Sequence, residues 1–278
     1  MMNVGICIRH DNNVTAHIQD AAQKGFAHAQ LISWQPSLWT DEQAQAIQVA
    51  LDKHGVTITA FWCGWSGPKV WNFVQGPETL GLVPPAYRWA RMQELMAGAD
   101  FAKKLGVDDV VSHMGFNPET PTAPEYAGFI DGMRHVAMHL KNQGQNLLFE
   151  TGQETPVAML RCFEDIGLDN LYVNLDPANL ILYGKANPVD ALDVFGTYVR
   201  GVHAKDGLYP TNGRELGKEV KVGEGKSDFP QLLRRLKELG YDGSLTIERE
   251  ISGEQQIKDI LATQAYLNDL IRQMEDKL

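Results

Sequence analysis

Cysteine is scarce. The three in 278 residues, Cys7, Cys63 and Cys162, are odd in number and widely scattered, which argues against a disulfide framework and for a reducing compartment. Their spacing offers no zinc knuckle. Long apolar runs are missing as well: no stretch approaches the roughly 20 residues needed to cross a bilayer. The start, Met-Met-Asn-Val-Gly-Ile-Cys-Ile-Arg-His, has no basic segment leading into an apolar core. A cytoplasmic protein with no membrane partner is the expectation. Basic runs are limited to pairs such as Lys103-Lys104 and Arg234-Arg235 within a net charge of −10. Such a field repels phosphate backbones, so nucleic acid is not an expected partner.

What is present is alternation. Short apolar runs rich in β-branched residues fall at 4–8, 29–33, 57–63, 109–113, 146–150, 172–176, 201–204 and 244–248, with helical patterns between them. Eight strand–helix units predict a single-domain α/β protein, a (β/α)8 TIM barrel over 1–278, because parallel strands need helical crossovers. The rival open sheet would carry a glycine-rich phosphate turn after its first strand. Here that turn reads Arg9-His10-Asp11-Asn12-Asn13, with no glycine. The helices carry start and stop signals. Thr40 with Gln43 forms a capping pair, and the 85–105 pattern sets Trp89, Met92, Leu95, Met96, Ala99 and Ala102 on one packing stripe before Gly106. A further helix is expected from about Ser227 and Asp228 to Gly240, and a last one over 254–274. Two connections, 64–84 and 205–227, exceed ordinary loop lengths and follow strands, which puts both on the active face of a barrel.

Four consecutive strand runs end in metal-binding residues: Leu147-Leu148-Phe149-Glu150, Val173-Asn174-Leu175-Asp176, Gly201-Val202-His203 and Leu245-Thr246-Ile247-Glu248. Parallel barrel strands converge at their C-terminal ends, so these four side chains are expected to become neighbours. One such residue alone is as readily solvated or salt-bridged. Four in one phase differ, because three clustered carboxylates repel one another without a cation. An open site of three carboxylates and one imidazole suits one divalent ion, Mn²⁺ first, with Mg²⁺, Co²⁺ and Zn²⁺ as alternatives.

At these residues the chain resembles the xylose-isomerase-like TIM barrel superfamily, the sugar phosphate isomerase/epimerase family that includes ketose 3-epimerases, hydroxypyruvate isomerases, inosose dehydratases and an apurinic endonuclease branch. The resemblance is carried by Phe-Glu-Thr-Gly (149–152), Asn-Leu-Asp-Pro-Ala-Asn (174–179), Val-His-Ala-Lys-Asp (202–206), Val-Gly-Glu-Gly (222–225) and Leu-Thr-Ile-Glu (245–248). It implies that Glu150, Asp176, His203 and Glu248 ligate one metal, with Glu150 and Glu248 also the acid/base pair. It further implies an isomerase or epimerase of a small sugar, keto-sugar or polyol, moving a proton through a metal-stabilised enediolate. A lyase or dehydratase of a keto-polyol or keto-glycoside would use the same enolate and then expel a leaving group. A non-catalytic sugar-binding barrel would not need the acid/base pair.

Departures from the superfamily weigh against the nuclease branch. Gly217-Lys218-Glu219 stands where that branch carries Asp-x-His, Asn179 stands where many relatives carry histidine, and the third strand ends in Trp62-Cys63. Further candidates face the expected mouth. His113 is read as a substrate hydrogen-bonding group, with Asn179 beside it, while His10 is open between site and packing. Trp34, Trp62 and Trp65 could cover a sugar face or pack in the core. Lys205 and Arg214 could hold a carboxylate, phosphate or hydroxyl group, or be solvated. His135 and His139 are read as surface or packing residues, and Gly223-Glu224-Gly225 as a turn into the next helix. The partner expected is a small sugar or keto-sugar. The sugar, the carbon, any homo-oligomer, and the choice of lid or subunit contact for 64–84 stay open.

Overall fold

In a computed structural model describing residues 2–275, the apolar runs close into a ring of parallel strands. Residues 1 and 276–278 of the single-domain reading lie outside the described residues. The first half of the chain forms β1 (Asn3–Arg9), α1 (Val14–Gln23), β2 (His28–Ser33), α2 (Asp41–His54) and β3 (Thr57–Cys63). It continues with α3 (Gly76–Thr79), α4 (Pro85–Lys104), β4 (Asp109–Ser112) and α5 (Tyr126–Asn142). The second half forms β5 (Asn146–Glu150), α6 (Pro156–Ile166), β6 (Leu171–Leu175), α7 (Pro177–Leu182), α8 (Pro188–Phe195) and β7 (Val199–Ala204). Then follow β8 (Asp206–Leu208), β9 (Lys218–Val220), α9 (Phe229–Glu238), β10 (Ser244–Ile247) and α10 (Glu254–Glu275).

The barrel order is β1-β10-β7-β6-β5-β4-β3-β2, every neighbour parallel. All eight expected strands are there. The antiparallel pair β8–β9 is new, and it gives part of the 205–227 connection its own structure.

Local chemistry sets the helix ends. Thr40 caps α2 by accepting the Gln43 amide at 3.3 Å, and Gly55 ends it in the left-handed region. In α9 the cap is Asp228, which accepts the Gln231 amide, whereas Ser227 turns inward and is fully buried. Leu232, Leu233 and Leu236 form its buried face. At roughly 1.5–3 kcal/mol for each buried leucine, this face outweighs exposed pairs such as Arg235–Asp193, worth about 1 kcal/mol at most.

The α4 stripe differs from expectation at one end. Met92, Leu95, Ala99 and Ala102 are buried, but Trp89 is 69% exposed. Seven residues before Met96, Trp89 shares that residue's position at the edge of the stripe. The preceding seat, four residues before Met92, belongs to Arg88, which bonds the carbonyls of Leu82, Val83 and Glu125.

Most of the core lies between strands and helices, with a smaller cluster of Ala60, Trp62, Val111 and Leu148 inside the barrel. Deeper polar residues also cross the interior: Gln30 and Asn174 are buried and joined at 3.4 Å. The whole arrangement aims strands β5, β6, β7 and β10, consecutive around the ring, at one mouth.

Candidate metal centre and active site

Four chain positions meet at that mouth. Glu150 is the last residue of β5, His203 sits near the end of β7, and Glu248 follows β10. Asp176 follows β6 and caps α7, its Oδ1 accepting the Asn179 amide at 2.9 Å. Each contributes one ligand atom, and these atoms all lie within 4.8 Å of one another. The His203 Nδ1 is 3.1 Å from Glu150 Oε1, 3.4 Å from Glu248 Oε2 and 3.7 Å from Asp176 Oδ2. Among the described residues this is the one such group of three or more His, Cys, Asp or Glu side chains.

The donor set fits a divalent cation on evidence of its own. His203 Nε2 is 2.6 Å from the Gln30 carboxamide oxygen, an acceptor, so the proton of a neutral ring resides there and the Nδ1 lone pair faces the carboxylates. Both His203 Nδ1 and Asp176 Oδ2 are buried without a hydrogen-bond partner, and both point at the cluster.

The electrostatics agree. Burial works to lower the His203 pKa, but Glu150 and Glu248 outweigh it and hold it well above the ordinary value. Burial works to raise Glu248, yet Lys205 and His203 pull it well below the usual carboxylate range. Glu150 is likewise lowered, against burial, by His113 and His203. Asp176, for which burial prevails over Lys205, is raised. A proton on His203 thus balances crowded negative charge, and a divalent ion at the same four atoms would take over that balance.

Above the cluster opens a cavity of about 440 Å³. One wall is aromatic: Trp34 and Trp62 lie 4.8 Å apart between ring centres, with Trp71 beyond. Trp62 donates its indole N–H to Glu150 Oε2. Gln153, Asn179 and Tyr183 also line the cavity, and Asn179 Nδ2 is 3.4 Å from Glu150 Oε1. The fully buried Lys205 ammonium lies 3.1 Å from both Glu248 and Glu250 and 3.6 Å from Asp176. The cluster attracts it so strongly that its pKa stays well above the ordinary value despite burial. His113, just past β4, is buried with Nε2 3.5 Å from Glu150 Oε1.

Of the sequence candidates, Trp34, Trp62, His113, Asn179 and Lys205 line this cavity together with Glu150 and Glu248. Arg214 does not. It is exposed in the β8–β9 connection, outside the lining, because that stretch turns outward into solvent. Trp65 is fully buried beside Arg91 rather than in the lining, and His10 stacks on Phe101 with Nδ1 2.9 Å from Ser33 Oγ. His139 pairs with Asp100 on the surface. The lining residues that sequence reasoning passed over are Ile32, Lys69, Gln153, Leu182, Tyr183, Leu216 and Glu250, with Trp71 seen only as part of a long loop. Glu250 carried a usable signal, two positions beyond Glu248 in the same phase. Gln153 adjoins the quoted Phe-Glu-Thr-Gly motif.

The Gly-Glu-Gly turn acquires a role. Its amides at Gly223 and Gly225, with those of Gly207 and Ser227, donate to the buried Asp206 carboxylate at 2.9–3.0 Å. A Cβ at Gly225 would stand 2.1 Å from Asp206 Oδ1, so only glycine allows this close approach.

Residues 18–270 match the family described as "Xylose isomerase-like TIM barrel". The chain belongs to this family. A xylose isomerase domain protein from Planctomyces limnophilus is 34% identical to this xylose-isomerase-like chain, with 99% of each chain covered and a TM-score of 0.93. A D-tagatose 3-epimerase-like protein is 18% identical, again over 99% of each chain, with a TM-score of 0.78; at that identity the likeness is one of fold. An uncharacterized protein of Methanocaldococcus jannaschii is 30% identical over 125 residues, covering 45% of this chain and 39% of its own length. The xylose-isomerase-like chain thus spans well under half of that relative. Among the described residues, no helix is long and apolar enough to cross a membrane.

Proposed function

We propose that this protein is a divalent-metal-dependent isomerase or epimerase of a small keto-sugar or related polyol. The observation that carries the reading is the pair Glu150 and Glu248, both lining the cavity and both belonging to the four-residue cluster at its base. Glu150, Asp176, His203 and Glu248 would hold the ion, with Mn²⁺ the leading candidate for three oxygens and one nitrogen. When bound, the ion would supply Lewis-acid stabilisation of charge developing on the substrate's oxygens.

The protein's own groups would move the proton. Despite burial, Lys205 draws Glu248 well below the ordinary carboxylate range, and Glu150 is lowered as well, so both are available as the anionic base that abstracts a proton from carbon. Removal by one carboxylate, and return to the opposite face by the other after it has taken a proton from solvent, inverts the carbon. Movement by one carboxylate between adjacent carbons isomerises instead. His113, Asn179 and Lys205 would orient hydroxyl or carbonyl oxygens, and Trp34 and Trp62 would cover the apolar face of the sugar. The D-tagatose 3-epimerase-like relative supports this substrate class.

Incubation with a panel of ketoses and keto-sugars in D₂O, with and without Mn²⁺, tests the reading. Metal-dependent deuterium uptake at carbon is expected, with a loss of at least about 100-fold for Glu150→Gln and for Glu248→Gln. No uptake into any member of the panel by metal-loaded protein would sink it. A product lighter by one water would move the assignment to a dehydratase.

A further inference from the structure

Between β3 and α4 the chain makes a long excursion that reaches the cavity with Lys69 and Trp71. The Trp71 ring lies 5.1 Å from the His113 ring, and the Lys69 ammonium lies 5.1 Å from the centre of the Trp34 ring. Apolar burial does little to hold this part of the excursion, for residues 66–71 are exposed.

Side chains of α4 tie it down, Arg91 with the most bonds, while within the excursion the Val70 amide donates to Thr79 Oγ1 at 3.1 Å. Arg91 is 1% exposed, and its guanidinium donates from Nε to the Ser66 carbonyl at 3.2 Å and from Nη2 to that of Pro68 at 2.8 Å. From Nη1 it donates to the carbonyls of Thr79 at 2.8 Å and Gly81 at 2.6 Å. The group is packed between Trp65 and Tyr87, 4.1 Å and 4.7 Å from their ring centres. Glu94, one turn further along α4, accepts the Ser66 amide at 2.8 Å. Among the described residues no carboxylate lies within ion-pair distance of Arg91. The cation is spent on backbone carbonyls at the two ends of one excursion, 66–68 and 79–81. Gly81 completes the closure: its φ is +67°, and a Cβ there would meet the Met114 backbone at 2.0 Å. A planar fork with several fixed donors can join two chain segments in this way, and a lysine ammonium cannot.

We propose that Arg91 is a positioning residue that staples segment 66–81 into a preformed wall of the substrate cavity. Through that wall, Trp71 and Lys69 hold the part of the substrate remote from the metal centre. The substrate half of the proposal rests on the keto-sugar reading above and gives the wall to ground-state and transition-state binding alike, so that it sets KM rather than kcat.

The test uses the full chain loaded with Mn²⁺. Arg91→Lys is expected to raise KM for the exchanging keto-sugar about ten-fold while kcat stays within about two-fold. Hydrogen exchange of the amides in 66–81 is expected to quicken at least about ten-fold, with β5–β7 amides and Mn²⁺ affinity unchanged. Trp71→Ala is expected to raise KM similarly, and the double variant to cost little more than either single one, since both remove the same wall. Unchanged exchange over 66–81 in folded Arg91→Lys would overturn the staple. Unchanged KM in Trp71→Ala would overturn the role of the wall. A parallel fall of kcat, Mn²⁺ affinity and protection throughout the barrel would overturn both and make Arg91 a general support of the fold. If no sugar in the panel exchanges even with wild-type protein, the keto-sugar reading fails, and protection over 66–81 still decides the staple.

Discussion

Gln30 lies outside the cavity lining, yet its carboxamide oxygen, 2.6 Å from His203 Nε2, decides which imidazole nitrogen is offered to the carboxylates. Removing that acceptor frees the ring to rotate or to change tautomer. Gln30→Leu is therefore expected to lower Mn²⁺ affinity by about 10- to 100-fold, as loss of a partner behind a metal-ligating histidine generally does, and calorimetric titration measures it. His10 acts at the same scale but on stability. Burial depresses its pKa from 6.5 to about 4, so the folded state resists a proton that the unfolded chain accepts. The stability this represents is complete above pH 6.5 and is lost as pH falls toward 4. A shift of this size corresponds to a few kcal/mol. His10→Phe, which keeps the stack on Phe101, is expected to flatten the fall of Tm across that window. An unchanged acid limb would assign the pH dependence to other groups.

At the scale of elements, the β8–β9 pair is held by a buried anion. Asp206 accepts four backbone amides, from Gly207, Gly223, Gly225 and Ser227, and so fastens the Gly-Glu-Gly turn beneath the hairpin. Asp206→Asn turns an N–H₂ group toward amide donors. It is expected to cost about 2 kcal/mol or more in urea denaturation, because hydrogen bonds to a charged acceptor are worth about 1.5–3 kcal/mol each. Arg249 extends the tie, with Nη1 2.8 Å from Glu219 of β9 and Nε 2.9 Å from Asp259 of α10. The sequence showed the turn but not what fills it, since Asp206 and Gly225 meet only when the connection folds back on itself. Trp89 teaches the same lesson on α4. The 3.6-residue period put it on the packing stripe, but a stripe has edges, and which edge is covered depends on the neighbouring element.

At the scale of the molecule, eight parallel strands make a site from residues up to 98 positions apart, Glu150 to Glu248. The sequence by itself determined the barrel and the four-residue cluster. Strand and helix periods are local properties, and parallel closure carries every strand end to one mouth, so a register of Glu, Asp, His and Glu at strand ends becomes a cluster. Tertiary structure alone decided the walls. Lys69 and Trp71 enter the cavity because Arg91 staples a long excursion, Arg214 faces solvent because the β8–β9 connection turns outward, and His10 packs on Phe101. Periodicity governs where a strand ends, but no period governs the path of a loop. That path is set by distant backbone carbonyls and buried charges that become neighbours only in the folded chain.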